Sequence, residues 1–174
     1  MQLDLTRYRQ PLASFSRTFK PEEVADEADP YRIVAPVNLL FEIHKDKDKF
    51  RLVGQVHTRL ELACSRCLEP FELLVDASFD LRYLPASDAS SEADREIRED
   101  DLETSYYRDD QIDLSELMRE QFYLLLPMKP LCREECRGLC TQCGTNLNTG
   151  SCECAPAWED PRLAPLKGLL GRRD

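Results

Sequence analysis

The sequence predicts an α+β fold: an antiparallel β-meander or partly open barrel covered by one helix, followed by a C-terminal cysteine-rich zinc-binding segment. Three observations predict it. Apolar residues alternate with polar ones over most of residues 37–83, the period-two pattern of strands with one wet face. A later segment, 113–126, switches to helical periodicity. Eight cysteines fall as Cys64–Cys67, Cys132–Cys136–Cys140–Cys143 and Cys152–Cys154, each with another within four positions. Short spacing of that kind suits thiolate pairs that converge on a tetrahedral ion.

Residues 1–30 read as an irregular arm, punctuated by Pro11, Pro21 and Pro30. Phe15 and Phe19 are its anchors, and Ser14–Lys20 has the makings of a short strand. The sheet follows over 31–85. Val37, Leu39, Phe41 and Ile43 share one parity, and Lys45-Asp46-Lys47-Asp48-Lys49 makes a solvated turn. Phe50, Leu52, Val56, Leu60, Leu62 and Cys64 then share a parity, as do Phe71, Leu73, Val75, Ala77, Phe79, Leu81 and Tyr83. Three long antiparallel strands result, with the Cys64–Cys67 pair in a strand-to-strand connection. Residues 86–108 are an acidic loop, rich in Asp, Glu and Ser. Asp113 is the expected N-cap of the helix, with Glu116 three residues on. Leu114, Leu117, Met118, Phe122 and Leu125 form its apolar stripe, and Pro127 ends it. The expected layout is an α+β domain over 1–131, a zinc-binding segment over 132–158 and a flexible basic tail over 159–174.

Composition narrows the function classes. The formal charge is −10, which opposes simple electrostatic binding of nucleic acid. No apolar run approaches the roughly 20 residues of a membrane helix, and residues 1–7 lack the features of a secretory signal. A cytoplasmic setting without membrane contact is expected. There thiols stay reduced, and grouped cysteines favour metal over four disulfides.

Cys140 and Cys143 in Cys-Thr-Gln-Cys-Gly form a knuckle-like turn, in which Gly144 supplies the positive φ often needed after the second ligand. Cys152 and Cys154 follow after a short loop, and in extended chain both point to one side. These four make a self-contained candidate zinc site. Cys64, Cys67, Cys132 and Cys136 are left for a second. Spacing leaves other arrangements open: 132/136/140/143 on one ion with 64/67 joined to 152/154, or a single zinc. A four-thiolate site is closed and structural, whereas catalytic zinc keeps an open position and commonly uses histidine. His44 and His57, the only histidines, fall on wet strand faces. A thioredoxin-like role for Cys64-x-x-Cys67 would need a helix N-terminus in a βαβ unit. No nucleophile–histidine–acid set or phosphate-cradling loop is present.

Two blocks carry a resemblance to a known family. The first is Leu62-Ala63-Cys64-Ser65-Arg66-Cys67-Leu68-Glu69-Pro70-Phe71. The second runs from Leu126-Pro127-Met128-Lys129-Pro130-Leu131-Cys132 through Gly138-Leu139-Cys140-Thr141-Gln142-Cys143-Gly144-Thr145-Asn146-Leu147-Asn148 to Cys152-Glu153-Cys154. With these blocks, from about residue 30 to 155, the chain resembles the YceD family of large ribosomal RNA subunit accumulation proteins. Thr141 stands where that family often has proline. Plant plastids carry similar proteins, and not all members keep the C-terminal cysteines, so the resemblance implies a supporting role for metal. It also implies a non-enzymatic ribosome biogenesis factor for accumulation or processing of 23S rRNA. The implied partners are a 23S rRNA precursor or pre-large-subunit particle, with ribosomal proteins as further candidates. Arg59, Arg66, Lys129, Arg133 and Arg137, on or near the cysteine segments, are the candidate RNA contacts. Their competing role is to offset thiolate charge. The alternative function is a zinc-stabilised protein-interaction adaptor without direct RNA contact.

Overall fold

The computed structural model describes residues 1–89 and 104–154. Most of the expected acidic loop and the whole expected tail lie outside the described residues. By its internal contacts the chain divides into two compact units, one of 1–62 with 71–130 and one of 63–70 with the residues from 131 on.

The first unit is built on strands. In chain order these are β1 (Gln2–Asp4), β2 (Leu12–Phe19), β3 (Arg32–Ile33), β4 (Val37–Asp46), β5 (Lys49–Ala63), β6 (Pro70–Pro85), β7 (Thr104–Tyr107) and β8 (Gln111–Asp113). The main sheet has the order β2-β4-β5-β6-β7, with β3 paired to β5, and it does not close. A two-stranded ribbon of β1 and β8 stands apart from it. Among the described residues the α-helices are α1 (Pro21–Val24), α2 (Ala86–Ala89) and α3 (Leu114–Leu125), and only α3 exceeds one turn.

The alternation of β4 does what its sequence demands: Val37, Leu39, Phe41 and Ile43 are buried and their neighbours exposed. Its hairpin to β5 turns at Lys47, at φ 56°. Across β5 and β6, Arg51 pairs with Asp80, His57 with Asp76 and Arg59 with Glu72. Partner numbers fall as β5 numbers rise, so the two strands run antiparallel. Leu39, Leu52, Val56, Leu60 and Val75 are completely buried, and the stripe of Leu117, Met118 and Phe122 on α3 joins the same core.

Three expectations change. The N-terminal arm carries regular structure, because β2 pairs with β4 over its full length from Leu12↔His44 to Phe19↔Val37. As expected, Phe19 is buried and Phe15 stacks on Phe41 at 4.7 Å. The end of the acidic segment re-enters the sheet: β7 pairs with β6 in parallel, Arg82 opposite Thr104. The Tyr107 hydroxyl bonds the Asp48 carbonyl at 2.8 Å, and its ring meets Phe50 edge-on. Finally, Leu125 is 41 % exposed, and Gln121 occupies the buried face instead. Helical phase is lost at the C-cap, Leu126, which turns extended and packs against the core in place of Leu125.

Asp113 caps α3 as expected, accepting the amides of Ser115 at 2.8 Å and Glu116 at 3.4 Å. Burial alone would raise its carboxyl pKa. The Met1 ammonium and the two amides outweigh burial and hold it below the ordinary carboxylate range. Asp113→Ala is therefore expected to cost about 1 kcal/mol in urea unfolding at neutral pH. Because the folded pKa is depressed, that advantage is complete above the unfolded carboxyl pKa of about 4 and vanishes as pH falls below it.

Candidate metal centre

Both cysteine turns, Cys64–Cys67 and Cys140–Cys143, belong to the second unit. They have the same construction. In each, the residue after the second cysteine donates its amide to the first cysteine's carbonyl: Leu68 to Cys64 and Gly144 to Cys140, both at 2.9 Å. In each, the first cysteine's amide bonds a carbonyl five residues on, Glu69 at 3.0 Å and Thr145 at 2.8 Å. In each, the residue after the second cysteine is left-handed, Leu68 at φ 62° and Gly144 at φ 73°. This tight loop aims two sulfurs and several amides inward. Glycine adopts the left-handed step freely, whereas leucine adopts it at a cost.

The sulfurs gather in two quartets. Cys64, Cys67, Cys132 and Cys136 form one; Cys140, Cys143, Cys152 and Cys154 form the other; within each, all sulfurs lie inside 4.8 Å of one another. Cys64–Cys136 and Cys67–Cys132 are 3.7 Å apart. Metal–sulfur bonds of about 2.3 Å in a tetrahedron require sulfur–sulfur edges of about 3.8 Å. A disulfide needs about 2.05 Å, and all eight cysteines are free. Of the arrangements that spacing leaves open, the structure brings together the two-quartet one. Four soft ligands per site fit zinc or iron. Each quartet alone completes a tetrahedron.

Proton affinity in each quartet is divided. The pKa of Cys64 falls to about 6, led by the Cys67 amide and opposed by burial. That of Cys143 falls to about 6, led by the Thr145 hydroxyl 3.1 Å away. Cys136 also falls, because the Asn148 amide at 3.3 Å and the Gly138 amide outweigh burial. Against these, burial and the neighbouring sulfurs push Cys132 up to about 12, and the Cys143 sulfur with burial does the same to Cys154. Adjacent thiolates repel, so some sulfurs in each set keep a proton unless a cation replaces it.

The two quartets are interlocked. Asn148, on the loop between Cys143 and Cys152, donates to Cys136 Sγ of the other set. Its Oδ1 accepts the Arg137 amide at 2.8 Å. Leu139 pairs with Asn146 in a short bridge, and the Leu147 amide bonds the Gly138 carbonyl at 2.9 Å. Gly138, at φ 74°, leaves no room for more: an added Cβ would lie 3.0 Å from the Arg66 carbonyl oxygen.

The five candidate RNA contacts fare differently. Arg59 lies on β5 and pairs with Glu72 at 3.0 Å. The Arg66 guanidinium donates to the Cys136 carbonyl at 2.8 Å and the Glu134 carbonyl at 3.4 Å. Lys129, Arg133 and Arg137 are exposed, and among the described residues their side chains form no ion pair. The structural part of Asn148 escaped the sequence reading. Its only signal there is position, in a Thr-Asn-Leu-Asn loop between two cysteine pairs. His44 is exposed and His57 half-buried, and neither belongs to a quartet's ligand set.

Two tests follow from this geometry. Gly144→Ala meets no neighbour within 4 Å, so it is expected to cost about 1–2 kcal/mol through φ alone. Gly138→Ala must also displace the Arg66 backbone and should cost more, whereas Leu68→Gly should be neutral or stabilising; chelator-challenge melts of the three variants give the ranking. Mass spectrometry under native conditions should find two metal ions per chain, falling to one in Cys136→Ser and one in Cys143→Ser.

A family model described as "Large ribosomal RNA subunit accumulation protein YceD" matches residues 52–170. Among curated proteins, the chain is similar to the Zea mays chloroplastic "Large ribosomal RNA subunit accumulation protein YCED homolog 1", at 32 % identity over 78 % of this chain and 54 % of that one. The Arabidopsis thaliana homolog 1 is 28 % identical over 84 % of this chain and 52 % of its own. An uncharacterized Mycobacterium tuberculosis protein is 29 % identical over 98 % of this chain and 82 % of its own. The chain thus spans about half the length of the plastid relatives it matches. No solved structure matches it. Among the described residues no helix is long and apolar enough to cross a membrane. A match covering most of the chain, and including both cysteine turns, establishes that it belongs to the YceD family of large ribosomal RNA subunit accumulation proteins.

Proposed function

We propose that this protein is a non-enzymatic ribosome biogenesis factor in the cytoplasm, supporting accumulation or processing of 23S rRNA at a precursor or early large-subunit particle. The observation that carries this reading is the family match spanning residues 52–170. The chemistry of the second unit supports it. Two zinc ions, each held by four cysteines, would leave no position for a water nucleophile, so zinc's contribution is to hold the turns together. Structural zinc sites supply on the order of 10 kcal/mol of folding free energy. The zinc module would thus present Arg133 and Arg137 as its RNA-facing cations, while Lys129 belongs to the first unit.

A specific observation favours the second reading, a protein-interaction adaptor. Arg59 and Arg66 are engaged by protein groups, by Glu72 and by two backbone carbonyls. A divalent ion with four thiolates also carries net charge −2, adding to a chain already at −10. The RNA footprint is accordingly narrower than five residues.

Crosslinking in cells with nucleotide mapping tests the choice. The assembly-factor reading expects crosslinks to large-subunit precursor RNA that weaken at least about threefold in Arg133→Ala/Arg137→Ala, and a drop in 23S rRNA on depletion. Unchanged 23S rRNA would overturn it. Lowered 23S rRNA without RNA crosslinks would favour the adaptor.

A further inference from the structure

A cavity of about 470 Å³ opens in the first unit, and no cysteine lines it. Tyr83 of β6 lines it, together with Tyr106 of β7, Asp109 in the turn before β8, and Glu116 and Glu120 of α3. Arg108 is the single cationic side chain in its lining, and it is exposed.

Three features define what the cavity can hold. First, Tyr83 is 7 % exposed and its hydroxyl makes no hydrogen bond among the described residues. The side chain is buried but its hydroxyl is not sealed from solvent, so a ligand's polar group can take up its unused hydrogen-bonding capacity. Burial, then Glu120 and Glu116, raise the affinity of this phenol for its proton, so at neutral pH it is a neutral donor and acceptor. Second, Glu116 and Glu120 stand one helical turn apart with no cation pairing either of them among the described residues. Such like-charged neighbours destabilise a helix, and burial followed by Glu116 raises the Glu120 pKa. Third, the helix N-terminus at this cavity is already filled by the Asp113 carboxylate. An anion would find no free amides there and four carboxylates around it.

The cavity therefore suits a cation. A divalent metal is disfavoured, because only the cysteine quartets bring three or more ligand atoms together among the described residues. An ammonium or guanidinium is better matched: carboxylates accept its protons, tyrosine faces attract its charge, and the Tyr83 oxygen accepts one more hydrogen bond. We propose that the Tyr83 cavity is a docking pocket for a lysine or arginine side chain on a basic polypeptide segment. Charge complementarity carries the choice of occupant: with Asp113 paired to the Met1 ammonium, the lining still offers the carboxylates of Asp109, Glu116 and Glu120 against one guanidinium, in a chain of net charge −10. This inference is independent of how the protein meets RNA.

The test is calorimetric titration of the full metal-loaded chain with blocked hexalysine and hexa-arginine peptides. Glu116→Gln/Glu120→Gln is expected to weaken binding about tenfold or more, the loss of a charge-assisted pair. Tyr83→Phe, which changes no charge, is expected to weaken it about threefold. Glu22→Gln/Glu27→Gln, with the same charge change outside the cavity, should leave affinity within about twofold. Thermal melts confirm folding of each variant. Equal loss in the two double variants would mean diffuse attraction to an acidic chain and would overturn the proposal. So would no loss in Tyr83→Phe, or displacement of the peptide by millimolar magnesium through Glu116 and Glu120.

Discussion

Four sulfurs drawn from positions 72 residues apart cannot sit within 4.8 Å of one another as bare thiolates. Backbone amides favour the thiolate at Cys64, whereas burial and the neighbouring sulfurs favour the thiol at Cys132. A divalent ion at the centre would remove that conflict and convert the four groups into one rigid joint. The constraint matters because the second unit has no apolar core of its own among its described residues: every member of the buried cluster lies in the first. The turns of the second unit are held by backbone hydrogen bonds and sulfur contacts, and a metal is what such a small assembly needs to fold.

The two sites are built from one repeated device and then tied together. Cys64-Ser65-Arg66-Cys67 and Cys140-Thr141-Gln142-Cys143 make the same pair of backbone bonds and the same left-handed exit. Asn148 crosses from one set to the other, and the Leu139–Asn146 bridge closes the hairpin between them. Loss of one ion should therefore loosen the ligands of the other. Arg66 extends the same network, since its guanidinium holds the carbonyls of Glu134 and Cys136. Its first duty is to the module, which is why it is a weaker candidate for RNA than Arg133 or Arg137.

Legibility in the sequence followed the strength of local signals. Strands β4 to β6 could be read because burial on one face imposes strict alternation, and the Cys140–Cys143 turn because Gly144 marks its left-handed step. Strand β2 was only partly legible: Ser14, Ser16, Arg17 and Thr18 surround its two phenylalanines, and its pairing is decided by β4. The parallel return of β7 depends on a contact made across the acidic segment, which no local pattern encodes. Leu125 fitted the helical stripe, but it is the last residue of the helix, and Leu126 beyond it packs against the core instead. The partition of cysteines between sites was open for a similar reason, since spacing fixes pairs and only the fold brings pairs together. Leu68 concealed the likeness of the two turns, because leucine in the left-handed region gives no sequence signal.

The central claim is that both cysteine quartets are closed, all-sulfur metal sites. X-ray absorption at the zinc edge of the zinc-loaded full chain tests it most directly. The account predicts a first shell of four sulfurs at about 2.3 Å per ion, with no nitrogen or oxygen scatterer. A mixed shell with an oxygen or nitrogen ligand would reveal an open position and contradict it.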